Sequence, residues 1–140
     1  MQNLKLVLQD SEIIDAIKQL CEQSHATALS KGWWSERHEL VRAAQTFGGE
    51  SLKSYAEATV KSGLIALIHS EASEVLEGIR NKITSDDKIP EFTAEEAELV
   101  DILVRVFDMA AAFNLRLGEA LIAKMAMNKG RSHKHGDKVL

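Results

Sequence analysis

Between residues 64 and 83 the apolar side chains recur at helical intervals, and a glutamate stands in the middle of them. Counted at about 100° per residue, Leu64, Leu67, Ile68, Val75, Ile79 and Ile83 share one side of a helix, with Glu71 near the centre of that side. A stripe of this kind faces a core. An ionised carboxylate held away from water costs several kcal/mol unless it is paired, which is roughly the whole stability of a small domain. The chain must therefore fold so that something positive meets Glu71.

A second carboxylate sits one turn on, at Glu74, and a second pair with the same spacing follows at Glu98 and Asp101. Residues three apart lie on one helix face, so two helices meeting face to face can aim all four acids at one point. The second pair opens a segment, Asp101 to Phe113, that is apolar almost all round, with Asp101, Arg105 and Asp108 its only charges. A divalent cation is the simplest partner for such a quartet. Oxygen-only ligands suit Mg²⁺, with Mn²⁺ as the alternative, and a hard ion that keeps some of its waters leaves positions open for phosphate oxygens. Di-iron bundles use Glu-x-x-His on two helices, and neither pair here contains a histidine. Glu77, Glu91 and Glu95 read as ordinary solvated charges.

The rest of the chain agrees with an all-α fold. One proline, at Pro90, and eight glycines interrupt 140 residues, and 45% of the side chains are apolar, enough for a real core in one domain. Helices are predicted from Asp10 or Ser11 to about Ser30, from Glu36 to Thr46, and from Glu50 to Lys82. Gly48-Gly49 breaks the second from the third, and a further interruption falls near Gly63. "TSDDKIPEF" reads as a loop, since Pro90 disfavours helix at Ile89. Thr93 with Glu96 then forms a capping box that opens the next helix. A break near Asn114 to Gly118 precedes a last helix, Glu119 to about Lys129, stopped by Gly130. This is a bundle of about four to five helices, residues 1–130, followed by a basic flexible tail, 131–140. Helices as apolar all round as "DMAAAF" have more surface to bury than the bundle covers, so a homodimer or homotetramer is expected.

Cys21 lies in the stripe of Ile13, Ile14, Ile17 and Leu20 and reads as a small core residue in a reducing, cytoplasmic compartment. The N-terminal segment is too short in apolar residues for a signal peptide, and nothing later reaches membrane-span length. The formal net charge is −4. Ten acids between residues 71 and 101 face a basic end that carries Lys124, Lys129, Arg131, Lys134 and Lys138. Overall acidity, and the lack of aromatics among those cations, argue against a dedicated nucleic-acid surface. Two adjacent tryptophans cannot face the same side of a helix, so Trp33 or Trp34 belongs to a loop, a pocket wall or an interface.

"LIALIHSEASEVLEGIR" and "AEEAELVDILVRVFDMAAAFNLRLGEALIAKMAMNKGRSHKHGDK" together resemble the MazG-like, all-α nucleoside triphosphate pyrophosphohydrolases. The family signature is E-x-x-E, a variable spacer, then E-x-x-D; here 23 residues separate Glu74 from Glu98. The downstream Lys124-x-x-x-Asn128-x-x-Arg131 and the His-Gly-x-Lys ending also look familial. The likeness spans about residues 64 to 138, with an echo at "KGWW", while the stretch from Arg37 to Ser62 is longer than the family leads one to expect.

The resemblance implies hydrolysis of a nucleoside triphosphate between its α- and β-phosphates, giving a monophosphate and pyrophosphate. On matching positions Glu71, Glu74, Glu98 and Asp101 would hold Mg²⁺, or one of the four, Glu74 at the edge of the stripe, would instead take the proton from attacking water. Lys124, Asn128 and Arg131 would contact phosphate or sugar. Trp33 or Trp34 would either stack on the base or pack in a core or interface. His133, His135 and Lys138 would either close over substrate or form a mobile tail. Asp108 would either support Lys124 or Asn128 or pair with Arg105. Two rival readings stand beside this one: a noncatalytic helical assembly module, and a hydrolase of another pyrophosphate-containing substrate.

Overall fold

The structure is a computed structural model that describes residues 9–131; the rest of the basic tail, with His133, His135 and Lys138, lies outside the described residues. Those residues form four helices and no strand: α1 (Asp10–Ser30), α2 (Ser35–Arg80), α3 (Ala94–Ala112) and α4 (Leu117–Lys129). α3 packs against both α1 and α2, and α4 packs against α1.

The 46 residues of α2 are two helical arms joined at Gly49, whose φ of 64° and ψ of −157° belong to a region essentially reserved for glycine. Gly48 is equally constrained, since a Cβ there would lie 2.5 Å from the Leu52 side chain. A straight helix would hold Trp34 and Leu64 about 45 Å apart. Instead Trp34, Val60 and Leu64 form one buried cluster, with Val41, Leu67, Met109 and Phe113 packed on it. The two arms therefore fold back on each other, and the segment that is long for the resembled family is a helical hairpin. The interruption expected near Gly63 is not there: Gly63 is helical, and the non-helical backbone within α2 is at Gly49.

Three helices stop in the same way. The N–H of the third residue past each helix reaches a carbonyl five residues back, in Trp33 to Ala28 (3.1 Å), Ile83 to Gly78 (3.0 Å) and Leu115 to Ala110 (2.8 Å). The residue just before that donor takes positive φ, at Gly32 (80°), Lys82 (54°) and Asn114 (49°). The predicted capping box opens α3: Glu96 N–H donates to Thr93 Oγ1 (3.2 Å), and Thr93 N–H donates to Glu96 Oε2 (2.8 Å). α1 is capped one residue earlier than expected, at Gln9, because Glu12 reaches back to accept the Gln9 N–H at 2.6 Å.

α2 and α3 run antiparallel: Ala94 stands opposite Gly78, Arg105 opposite Glu71, and Phe113 beneath the Lys61 ammonium. This register covers only part of the predicted stripe. Leu64 and Glu71 are buried and Leu67, Ile68 and Val75 half-buried, but Ile79 and Ile83 are exposed. α3 begins opposite Gly78, so among the described residues it does not extend past that point to cover Ile79 and Ile83.

Candidate metal centre

The antiparallel register brings three of the four singled-out acids together. One carboxylate oxygen from each of Glu71, Glu74 and Glu98 lies within 4.8 Å of the other two. Glu71 is buried, Glu98 half-buried and Glu74 exposed, so the group is closed on one side and open to water on the other. Asp101, one turn beyond Glu98, lines the adjoining cavity and is outside this triad.

Glu98 is held under electrostatic strain. Its Oε2 is buried and meets no hydrogen-bond donor among the described residues. Burial pushes its carboxyl above the usual glutamate range, and the negative neighbours Glu74, Asp101 and Glu71 push it further, against a small opposing pull from Lys88. An oxygen-only group with a buried, undonated carboxylate oxygen fits a hard divalent cation such as Mg²⁺ or Mn²⁺. Glu71 differs, because Arg105 Nε donates to its Oε1 from across the helix pair.

Beside the triad lies a cavity of about 440 Å³, within the range of small-ligand sites of roughly 300–1,000 Å³. Lys31, Arg37 and Arg105 bring positive charge to it, Trp33, Ala28, Leu64 and Val104 an apolar wall, and Asp101 and Asp108 two carboxylates. The tryptophans divide their work. Trp33 is 56% exposed and forms part of the wall, whereas Trp34, at 4%, is a core residue that does not line the cavity. The Arg105 guanidinium carbon lies 5.9 Å from the Trp33 ring centre.

Asp108 holds this wall together. Its Oδ1 accepts from Trp34 Nε1 at 2.9 Å and lies 2.7 Å from His25 Nδ1, tying α1, the α1–α2 turn and α3 to one carboxylate. The two partners expected for Asp108 were Arg105, or a supporting role toward Lys124 or Asn128. Arg105 instead meets Glu71, because the facing helix offers a buried charge that outcompetes a neighbour on the same helix.

Lys124 and Asn128 are exposed on α4, Arg131 follows just after it, and none of the three lines this cavity or the second one. α4 enters the fold at Gly118, where a Cβ would stand 3.0 Å from Ile14 Cα. The second cavity, between α1 and that entry, is bordered by Cys21. Burial raises the Cys21 thiol, as expected of a structural rather than a reactive cysteine.

The cavity cations Lys31 and Arg37 were not singled out from sequence. The available signal was their position flanking the tryptophans in "KGWWSER". Among the described residues, no helix is long and apolar enough to cross a membrane. No protein-family model, curated protein or solved structure matches the chain.

Proposed function

We propose that this chain is a Mg²⁺-dependent nucleoside triphosphate pyrophosphohydrolase of the MazG-like kind, cleaving its substrate between the α- and β-phosphates. The observation that carries this reading is the convergence of the three acids together with the link that Arg105 makes from them to a neighbouring cavity. Glu71, Glu74 and Glu98 converge, with a buried undonated oxygen on Glu98, and Arg105, which donates to Glu71, also lines the cavity that holds Lys31, Arg37 and Trp33.

In this reading the three glutamates hold the ion, and Asp101 stands at the border between ion and cavity. When bound, Mg²⁺ would neutralise phosphate charge and make nearby water more acidic. Lys31 and Arg37 bind phosphate oxygens, and the exposed face of Trp33 takes the base. Glu74, the member of the triad open to solvent, takes the proton as water attacks phosphorus; the bond to the bridging oxygen breaks, and pyrophosphate leaves. The lone buried Cys21 suits a cytoplasmic protein. The many half-exposed apolar side chains on α3 suit a homodimer or homotetramer.

A noncatalytic helical module is the second reading, and one observation favours it. Arg105 already neutralises Glu71, so at least one of the acids has a structural partner. A panel of nucleoside triphosphates incubated with Mg²⁺, Mn²⁺ or a chelator separates the two. The proposed activity gives equal amounts of monophosphate and pyrophosphate, stops with chelator, and is abolished in Glu71→Gln. Pyrophosphate release that persists unchanged in Glu71→Gln contradicts the assignment.

A further inference from the structure

Arg105 pairs with Glu71 of the acid triad and also lines the cavity. It donates to Glu71 Oε1, and its guanidinium lies 5.9 Å from the centre of the exposed Trp33 ring. The two members of the ion pair are unequally held: the Glu71 side chain is 7% exposed and fixed inside the helix pair, while that of Arg105 is 31% exposed and has room to turn. A divalent cation among Glu71, Glu74 and Glu98 would claim the same carboxylate and repel the guanidinium at close range. Asp101, one turn back on α3, and the face of Trp33 both offer it a place on the cavity side.

We propose that Arg105 is an exchangeable counter-ion: a divalent cation at the triad displaces its guanidinium from Glu71 into the cavity, where its planar fork binds a polyphosphate. This inference rests on the proposed metal site and deepens it, since it makes the ion a condition for anion binding. Arrival of the ion frees the donor that the anion needs, so the two ligands bind with positive coupling. Arginine suits the task because it stays charged throughout and presents paired donors to phosphate oxygens.

The test uses the intact protein, Mg²⁺ alone, and inorganic tripolyphosphate as the anion. In the wild type, hydrogen exchange at Arg105 Nε is followed by NMR, with the signal identified by its loss in Arg105→Lys. Mg²⁺ alone should speed that exchange by about tenfold or more, and tripolyphosphate added to the Mg²⁺ form should slow it again. Exchange that stays constant while Mg²⁺ saturates its site overturns the proposal.

Calorimetry on Arg105→Gln supplies an independent readout. Mg²⁺ affinity in the absence of anion should rise, and tripolyphosphate affinity at saturating Mg²⁺ should fall by about tenfold or more. A purely structural pair would leave tripolyphosphate binding unchanged, which also overturns the proposal. A wild-type protein that takes up no Mg²⁺ would sink the metal site itself and this inference with it. That outcome is distinct, because the first titration is then flat.

Discussion

Glu98 lives under two opposed demands, since its carboxyl is disfavoured as an anion by burial and by three neighbouring acids yet is placed where an ion would need that charge. The consequence for stability has a definite sign. In the unfolded chain the group ionises near its ordinary value of 4.5; in the fold it holds its proton to higher pH. As pH rises from there the unfolded chain sheds the proton first, so this group's contribution makes the ion-free protein less stable until Glu98 also ionises. Glu96 and Asp86 act in the opposite direction. Hydrogen bonds from Thr93, and from the backbone of Ile89 and Lys88, hold their carboxyls below the usual range, so the stability they add is present at neutral pH and lost in acid. Glu98→Gln removes only the first contribution. Without divalent ions it should match the wild type near about pH 4 and be more stable at pH 7, as read from urea denaturation at the two pH values. A variant less stable than wild type at neutral pH would show that Glu98 is not held under charge repulsion. At this scale the sequence disclosed Glu71, because a charge inside an apolar stripe stands out in a periodicity count. It did not disclose the partner. Spacing along one helix suggested Arg105 for Asp108, whereas the pairings that formed cross between helices, and local spacing carries no record of which faces meet.

Among the elements, α2 shows how much two glycines decide. Gly49 occupies a backbone region that a side chain would strain, and Gly48 stands against Leu52; together they turn a helix of 46 residues into a hairpin whose arms share a core. Gly63, fourteen residues on, is an ordinary helical position with nothing within 4 Å of where a Cβ would point. Substitution by alanine should therefore have opposite signs at the two sites. Gly49→Ala should lose about 1–3 kcal/mol, and Gly63→Ala should gain about 0.5–1 kcal/mol, each measured by chemical denaturation. Equal effects would contradict the placing of the bend. The hairpin break, the capping box of α3 and the end of α1 were legible because each uses a residue with a distinctive backbone preference. The end of α2 was harder to fix, since Lys82 adopts positive φ without belonging to a residue class that favours it. α4 was found as an element, but its placement was not. Its close approach to Ile14 depends on the small size of Gly118, and the periodicity of α4 does not say which helix it will meet.

For the molecule as a whole, the described chain leaves no large side chain fully buried, while Leu99, Val100, Leu103 and Val104 along α3 stay about half exposed. Helices apolar nearly all round suggested this surplus from sequence; which residues would carry it depended on the register of α3 against its neighbours. The proposed assembly follows from the surplus, since contiguous apolar surface of this kind marks contact sites. Sedimentation should give a mass of two or four times 15.5 kDa, and a stable particle of 15.5 kDa at micromolar concentration would contradict it. The cation at the triad, on which both the proposed chemistry and the role of Arg105 depend, is tested most directly by titrating Mn²⁺ and following the free ion by electron paramagnetic resonance. A cation held at the triad gives saturable uptake by the wild type, weakened by at least about tenfold in Glu71→Gln and in Glu98→Gln. Glu77→Gln should be unaffected, because Glu77 is exposed and paired with Arg80. Identical uptake by all four proteins, or none by the wild type, would contradict it.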